Sequence, residues 1–137
     1  MTTKNLKVVL DSNIYISAVL FGGKPGEVYL HSIRKSYDLF ISVLILEEIE
    51  KCLLQKFYWS KRETTSYTQQ IKRIATIHEV KNQIQGVYRD PKDDHILTLA
   101  AETNVNYIIS GDKDLLSLTA FEDIKIINAE CFLKSVL

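Results

Sequence analysis

The fold of this chain is decided by the stretch Lys7-Val8-Val9-Leu10-Asp11-Ser12-Asn13 near its amino end. The mostly apolar run over Lys7–Leu10 predicts a short buried strand. Apolar residues at helical intervals over Ser12–Phe21 predict a helix that follows at once. An acidic side chain, Asp11, stands where the strand gives way to the helix.

The same alternation of strand and helix continues downstream. Further strands are predicted at 39–42, 107–110 and 124–127, and the segment 84–88 is ambiguous between strand and loop. Helices are predicted at 27–35, 43–57, 61–80 and 129–136, with two more opened by Asp90-Pro91 and by Asp112, and residues 22–26 read as an interhelical turn. Strands that alternate with helices indicate an α/β fold, a single domain over 1–137 with a parallel sheet of four or five strands.

Composition restricts the function classes. The chain has 137 residues, of which 46% are hydrophobic and 25% charged, and its formal net charge is +0. No global basic field attracts nucleic acid, so any such contact must come from a local patch. Because we find no signal peptide and no apolar stretch long enough to cross a membrane, we expect a cytoplasmic protein.

Acidic residues recur where a strand ends or a helix begins. They are Asp11, Glu48, the pair Asp93 and Asp94, and Asp112. The carboxyl ends of parallel strands share one edge of a sheet, so we expect these side chains to gather there. Gathered carboxylates repel each other unless a cation lies between them. Mg²⁺ or Mn²⁺, hard ions that prefer oxygen ligands, would suit the position.

Each acid also has an ordinary structural explanation. Aspartate is a favoured helix N-cap, which accounts for Asp11 or Asp112 taken alone. A carboxylate in a first turn stabilises the helix dipole, which accounts for one of Asp93 and Asp94. Glu48 lies in an acidic run, which is typical of a solvated face, but its position on the helix at the edge of the core would let it reach inward. Asp93 shares a face with the apolar residues that follow it, so we expect Asp93 to be a ligand and Asp94 a helper or a solvated acid.

Taken in order, these motifs resemble those of PIN domains, in particular the prokaryotic subgroup described as toxins of toxin–antitoxin systems. The motifs are Val8-Val9-Leu10-Asp11-Ser12-Asn13, then Ser42 with Leu46-Glu47-Glu48-Ile49, then Arg89-Asp90-Pro91-Lys92-Asp93-Asp94, then Tyr107-Ile108-Ile109-Ser110-Gly111-Asp112-Lys113-Asp114-Leu115-Leu116. Each motif is weak alone, whereas the ordered set is specific and covers essentially the whole chain. The strand-end threonine common in the family is Ser110 here, which keeps the hydroxyl.

The resemblance implies a three-layer α/β/α sandwich and a Mg²⁺- or Mn²⁺-dependent endoribonuclease acting on single-stranded RNA. The catalytic acids carried over are Asp11, Glu48, Asp93 and Asp112. Of these we assign Asp11, Asp93 and Asp112 to metal contact, and Glu48 to a ligand or to positioning the attacking water. Supporting roles are expected for Asn13, Ser110, Asp94 and Asp114. The toxin subgroup further implies a cognate antitoxin partner and a homodimer.

Substrate contact requires local positive charge. Basic residues cluster around two aromatic side chains, Tyr58 and Trp59, and are Lys51, Lys56, Lys61 and Arg62, with Lys72-Arg73 on the next helix. Basic and aromatic groups together bind single-stranded RNA through its phosphates and by base stacking. The alternative is a solvated helical face beside a core tryptophan, which is the commoner arrangement.

Two other classes of protein compete with this interpretation. The first is a catalytically inactive PIN-like module that binds or regulates a protein, and the intact acid set counts against it. The second is another Mg²⁺-dependent phosphoryl-transfer enzyme or a nucleotide-binding protein. A phosphatase of the haloacid dehalogenase type would need a second aspartate at position 13, where this chain has Asn13. A nucleotide-binding first turn would be rich in glycine.

Overall fold

The structure, a computed structural model, describes residues 5–81 and 94–137. Its strands are β1 (Lys7–Leu10), β2 (Asp38–Ile41), β3 (Ala75–Ile77), β4 (Tyr107–Ile109), β5 (Ala120–Phe121) and β6 (Ile124–Ile127). Its helices are α1 (Ser12–Phe21), α2 (Gly23–Ile33), α3 (Val43–Gln55), α4 (Lys61–Ile74), α5 (Asp94–Thr103), α6 (Lys113–Ser117) and α7 (Ala129–Ser135). No helix in these ranges is long and apolar enough to cross a membrane.

The strands form one sheet in the order β3-β2-β1-β4-β6-β5, which is parallel apart from the last pair. β1 lies in the centre, where Val9 is in register with Phe40 of β2 and with Ile108 of β4. The chain moves outward in one direction from β1 to β3 and in the other from β4 onward. The boundary between β1 and β4 is therefore a topological switch point, the place where open α/β sheets bind ligands.

Both faces of the sheet are covered. Val8, Val9 and Leu10 are each 0% exposed, and successive side chains of a strand point to opposite faces. Helices must therefore lie on both sides of β1, which confirms the expected three-layer α/β/α sandwich.

The structure corrects the number and position of some elements. The sheet has six strands in the described residues, not four or five. The helix predicted over 61–80 ends at Ile74, and Ala75–Ile77 pairs with β2 as a parallel strand. The isoleucines at 71, 74 and 77 keep a spacing of three across this boundary, so the apolar pattern does not reveal where the helix ends.

The predicted interhelical turn over 22–26 is shorter than expected. Gly22, with a φ of 71°, ends α1, and α2 begins at Gly23 and not at residue 27. A left-handed φ is readily adopted only by glycine, so this residue reverses the chain almost alone. The segment 84–88 and the predicted helix start at Asp90-Pro91 lie outside the described residues.

Candidate active site

Asp11 lies at the centre of the switch point, directly after β1. It caps α1, because its Oδ1 accepts a hydrogen bond of 2.8 Å from the Ser12 N–H. Its Oδ2 accepts a second bond of 2.7 Å from the hydroxyl of Ser110, at the end of β4, and a longer one of 3.3 Å from Asn13 Nδ2. The capping explanation is therefore correct but incomplete, since Asp11 also joins two neighbouring strand ends.

The surroundings of Asp11 disfavour its charge. The carboxyl is 5% exposed, and burial raises its pKa above the ordinary value of 3.8. Hydrogen bonds from Ser110 and from the Ser12 N–H lower the pKa, while the negative charges of Glu48 and Asp112 raise it further. The sheet has thus brought three of the predicted acids close enough to repel one another.

Asp112 reaches this place from the end of β4. Its N–H donates to the Ser110 oxygen at 3.0 Å, and its Oδ2 caps α6 by accepting from the Leu115 N–H at 3.2 Å. The neighbouring Gly111 N–H donates to Asn13 Oδ1 at 3.3 Å. Ser110 and Asn13 are therefore in the supporting positions predicted for them. We call Asp11, Glu48 and Asp112, with Ser110 and Asn13, the acid pocket.

Glu48 enters the acid pocket from the second turn of α3. Its Oε2 lies 3.3 Å from Nε2 of His95 in α5, which must carry the proton if the carboxylate accepts it. Its Oε1 is buried and has no hydrogen-bond partner among the residues described. This oxygen therefore reaches inward from the edge of the core, although the side chain as a whole is 42% exposed.

Sequence reasoning missed His95. The residue is 9% exposed, and its Nδ1 is buried without a partner in the described part of the chain. A histidine directly after the paired acids was the available signal. Its contact with Glu48 spans 47 residues and does not appear in any local pattern.

Of the two acids predicted to open this helix, the structure describes only one. Asp93, the predicted ligand, lies outside the described residues. Asp94 is the first residue of α5, is 5% exposed, and has a buried Oδ1 without a partner among the described residues. It is therefore not a solvated acid, and its role as a helper stays a prediction. Asp114 lies exposed in the first turn of α6.

The predicted basic residues lie on α3 and α4 and at their ends. Lys51 and Lys56 are exposed at α3 and its end, and Lys61 is exposed at the start of α4. Arg62 differs, because it lines a cleft together with Trp59. Its neighbours are considered below.

The donor types of the acid pocket fit a hard divalent ion. Oε1 of Glu48, buried without a partner among the described residues, is the kind of atom that such an ion would satisfy. Over residues 5–81 and 94–137, however, no three His, Cys, Asp or Glu side chains are grouped closely enough to hold a metal. Metal binding at this place therefore stays a prediction.

The sheet order and the acids at its switch point define an α/β protein with an acidic ligand site. The sequence profile of the PIN domain family matches residues 7–114, and the chain belongs to that family. Among curated proteins it is 31% identical over 118 residues to the uncharacterized protein MJ1680 of Methanocaldococcus jannaschii, a match that covers 82% of this chain and 75% of the relative.

Solved structures share the fold. One is VapBC2 from Rickettsia felis bound to a DNA fragment from their promoter, with a TM-score of 0.64, 14% identity, and coverage of 90% of this chain and 98% of that chain. Another is VapC20 of Mycobacterium tuberculosis, described as a Sarcin-Ricin loop cleaving toxin, with a TM-score of 0.59, 10% identity, and coverage of 86% and 98%. At these identities the likeness shows the fold, and the expected family is confirmed.

Proposed function

We propose that this protein is an endoribonuclease that hydrolyses phosphodiester bonds of single-stranded RNA with the help of Mg²⁺ or Mn²⁺. The observation that carries the proposal is the convergence of Asp11, Glu48 and Asp112 at the switch point of the sheet, where their charges raise the pKa of Asp11. Such repulsion is relieved when a divalent cation binds, and the PIN family membership supports the same chemistry.

The proposed roles are those that the PIN family resemblance implies, supported at Asp11 and Asp112 by their contacts. Asp11, Asp93 and Asp112 would contact the ion, and Glu48 would be a ligand or would orient the attacking water. A bound divalent ion would supply a nucleophilic water near neutral pH and would stabilise charge on the phosphate. Ser110 would orient Asp11 through its 2.7 Å hydrogen bond.

His95 adds a positioning group that the sequence did not indicate. By binding Oε2 of Glu48 it fixes one carboxylate oxygen, which leaves the buried Oε1 as the oxygen available to an ion or a water. Groups that orient a ligand in this way are ordinary parts of metal sites.

We further propose that the protein is the toxin of a toxin–antitoxin pair, acting on RNA in the cytoplasm, blocked by a cognate antitoxin and assembled as a homodimer. The support is the family and the kind of protein found among its structural neighbours, one of which is described as a toxin that cleaves the sarcin-ricin loop. Co-purification with a small protein encoded beside it would support this role, and its absence would count against it.

The test is cleavage of a fluorescent single-stranded RNA in Mn²⁺, in Mg²⁺ and in EDTA. The wild type is compared with Asp11→Asn and with a matched control, Asp38→Asn, an exposed residue at the opposite end of the strands. Metal-dependent cleavage that is lost in Asp11→Asn and kept in Asp38→Asn is the expected result. Equal inertness of all three proteins on several RNAs would instead favour the inactive protein-binding module.

A further inference from the structure

A second cleft lies beside α4, outside the acid pocket. Its volume is about 490 Å³. We call it the tryptophan cleft, and its main lining residues are Trp59, Arg62, Ser66, Tyr67, Gln70 and Arg73. Arg62, Ser66, Gln70 and Arg73 recur along α4 at spacings of four, four and three residues. At 1.5 Å per residue they form one stripe about 16 Å long.

The polar groups of the stripe are mainly hydrogen-bond donors. Arg62 and Arg73 are exposed, and neither forms an ion pair within the described residues. Gln70 accepts a 2.7 Å bond from the Tyr29 hydroxyl through its Oε1, which leaves its amide nitrogen as a donor. The cleft is also lined by one acid, Glu63, whose Oε1 accepts from the Ser60 N–H at 3.1 Å in capping α4, so two arginines face one carboxylate. The cleft therefore suits an anionic ligand with many acceptor oxygens.

An aromatic surface lies beside these donors. Trp59 is partly exposed, and its ring centroid lies 6.4 Å from that of Tyr67, with the planes inclined by 57°. Nucleic-acid bases stack on such side chains regardless of sequence. Two guanidinium groups and a tryptophan in one cleft therefore match a single strand, which presents phosphates and base faces in alternation.

Residues of the tryptophan cleft form hydrogen bonds to α1, which begins after Asp11, and to α3, which contains Glu48. The hydroxyl of Tyr67 donates a 2.7 Å hydrogen bond to the carbonyl of Tyr15, four residues after Asp11. The Trp59 N–H donates a 3.0 Å bond to the carbonyl of Leu53, five residues after Glu48. The tryptophan cleft therefore adjoins both of these helices.

We propose that the tryptophan cleft binds the part of a single-stranded RNA substrate that flanks the scissile phosphodiester, with a base on Trp59 and phosphates on Arg62 and Arg73. This rests on the proposed ribonuclease function for its biological meaning, but its binding chemistry is independent of cleavage. Among the basic residues considered for RNA contact, Arg62 and Arg73 line the cleft, and Lys51, Lys56 and Lys61 do not.

The experiment uses Trp59 as its own probe, because it is the only tryptophan in the chain. Tryptophan fluorescence of the full-length protein is titrated with a twelve-nucleotide oligouridylate in EDTA, where metal-dependent cleavage does not occur. We expect quenching in the wild type. Affinity, measured in parallel by anisotropy of a labelled oligonucleotide, should fall about tenfold in the double variant Arg62→Gln/Arg73→Gln. The slope of log K against log salt should become shallower by about 1.4, at about 0.7 per lost phosphate contact on a single strand.

The matched control is Lys72→Gln, set against Arg73→Gln. The two residues are adjacent on α4, are both exposed and lose the same charge, but Lys72 does not line the cleft. Affinity should fall in Arg73→Gln and stay within twofold of wild type in Lys72→Gln. Equal losses in both variants would mean diffuse attraction and would overturn the site. Quenching by an oligoglutamate peptide and not by RNA would overturn it in favour of a protein partner.

The two proposals fail in different ways. If the wild type binds RNA in the tryptophan cleft but cleaves no RNA in any metal, the ribonuclease proposal is wrong and the proposed RNA-binding site stands. If the wild type cleaves RNA and Arg62→Gln/Arg73→Gln binds RNA as tightly as the wild type does, the proposed binding site is wrong and the ribonuclease proposal stands. Melting temperatures of all variants confirm that they are folded.

Discussion

Replacing Ser110 by alanine tests the support of the acid pocket. The Ser110 hydroxyl is 0% exposed and makes two hydrogen bonds, donating to Asp11 Oδ2 at 2.7 Å and accepting from the Asp112 N–H at 3.0 Å. A hydrogen bond to a charged group contributes about 1.5–3 kcal/mol and a neutral one about 0.5–1.5 kcal/mol. After the substitution, Asp11 Oδ2 keeps only the 3.3 Å bond from Asn13. We therefore expect Ser110→Ala to lower the free energy of unfolding by about 2–4 kcal/mol.

The assay is urea unfolding followed by circular dichroism, with thermal unfolding beside it. A domain of this size loses roughly 3–4 °C in melting temperature per kcal/mol, so the expected decrease is about 6–16 °C. Because Ser110 also orients Asp11, the apparent affinity for Mn²⁺ should fall by about 10- to 100-fold.

Ser32→Ala is the matched control for this experiment. Ser32 is 1% exposed and its hydroxyl also donates one hydrogen bond, but to the neutral backbone carbonyl of Tyr29. It should cost about 1 kcal/mol and leave Mn²⁺ affinity unchanged. If Ser110→Ala destabilised the protein no more than Ser32→Ala and bound Mn²⁺ as the wild type does, the reasoning about the acid pocket would be refuted.

Two further outcomes follow from the same pocket. Burial raises the pKa of Asp11 above 3.8, so the folded protein keeps the Asp11 carboxyl protonated to higher pH than the unfolded chain does. The stability of the wild type in EDTA should therefore fall as the pH rises from the unfolded-state pKa to the folded-state pKa of Asp11. Over the same pH range, Asp11→Asn should become more stable relative to the wild type, as measured by urea unfolding at a series of pH values. If the variant instead became steadily less stable relative to the wild type as the pH rose, the burial argument would be contradicted. Replacing His95 by leucine should lower kcat for RNA about 10- to 100-fold with little change in KM, because Glu48 loses its orienting contact. His95→Gln, which keeps an N–H donor, should retain most of the activity, and equal losses in both variants would indicate a packing role for His95.

The sequence predicted the first half of the fold well because local chemistry marks its boundaries. The strand Lys7–Leu10 and the helix Ser12–Phe21 were both predicted with their observed limits. Asp11 marks the junction as an N-cap, and Gly22 marks the end of the helix. β3 was missed because the pairing with β2 that makes it a strand is a long-range interaction, and the apolar spacing of α4 continues through it.

The same distinction holds for the candidate site. Asp11, Ser110 and Asp112 follow strands in the sequence, so a parallel sheet was enough to place them together. His95 was missed because its role depends on Glu48, 47 residues away. Arg73 lies eleven residues from Arg62 in the sequence, and three turns of one helix align the two in the tryptophan cleft.

The acid pocket also carries an energetic argument for its ligand. Oε1 of Glu48 and Oδ1 of Asp94 are buried without partners among the described residues, and each such atom costs about 1–3 kcal/mol. That is a large fraction of the roughly 5–15 kcal/mol by which domains are stable, and a cation bound to either atom would recover that atom's share. Mn²⁺ at a hundred times its dissociation constant should stabilise the protein by about 2.7 kcal/mol, which corresponds to a rise in melting temperature of roughly 8–11 °C. Asp38→Asn should show the full rise and Asp11→Asn much less of it. An unchanged melting temperature in millimolar Mn²⁺ and Mg²⁺ would mean that these oxygens face something other than a metal, and the catalytic proposal would lose its physical basis.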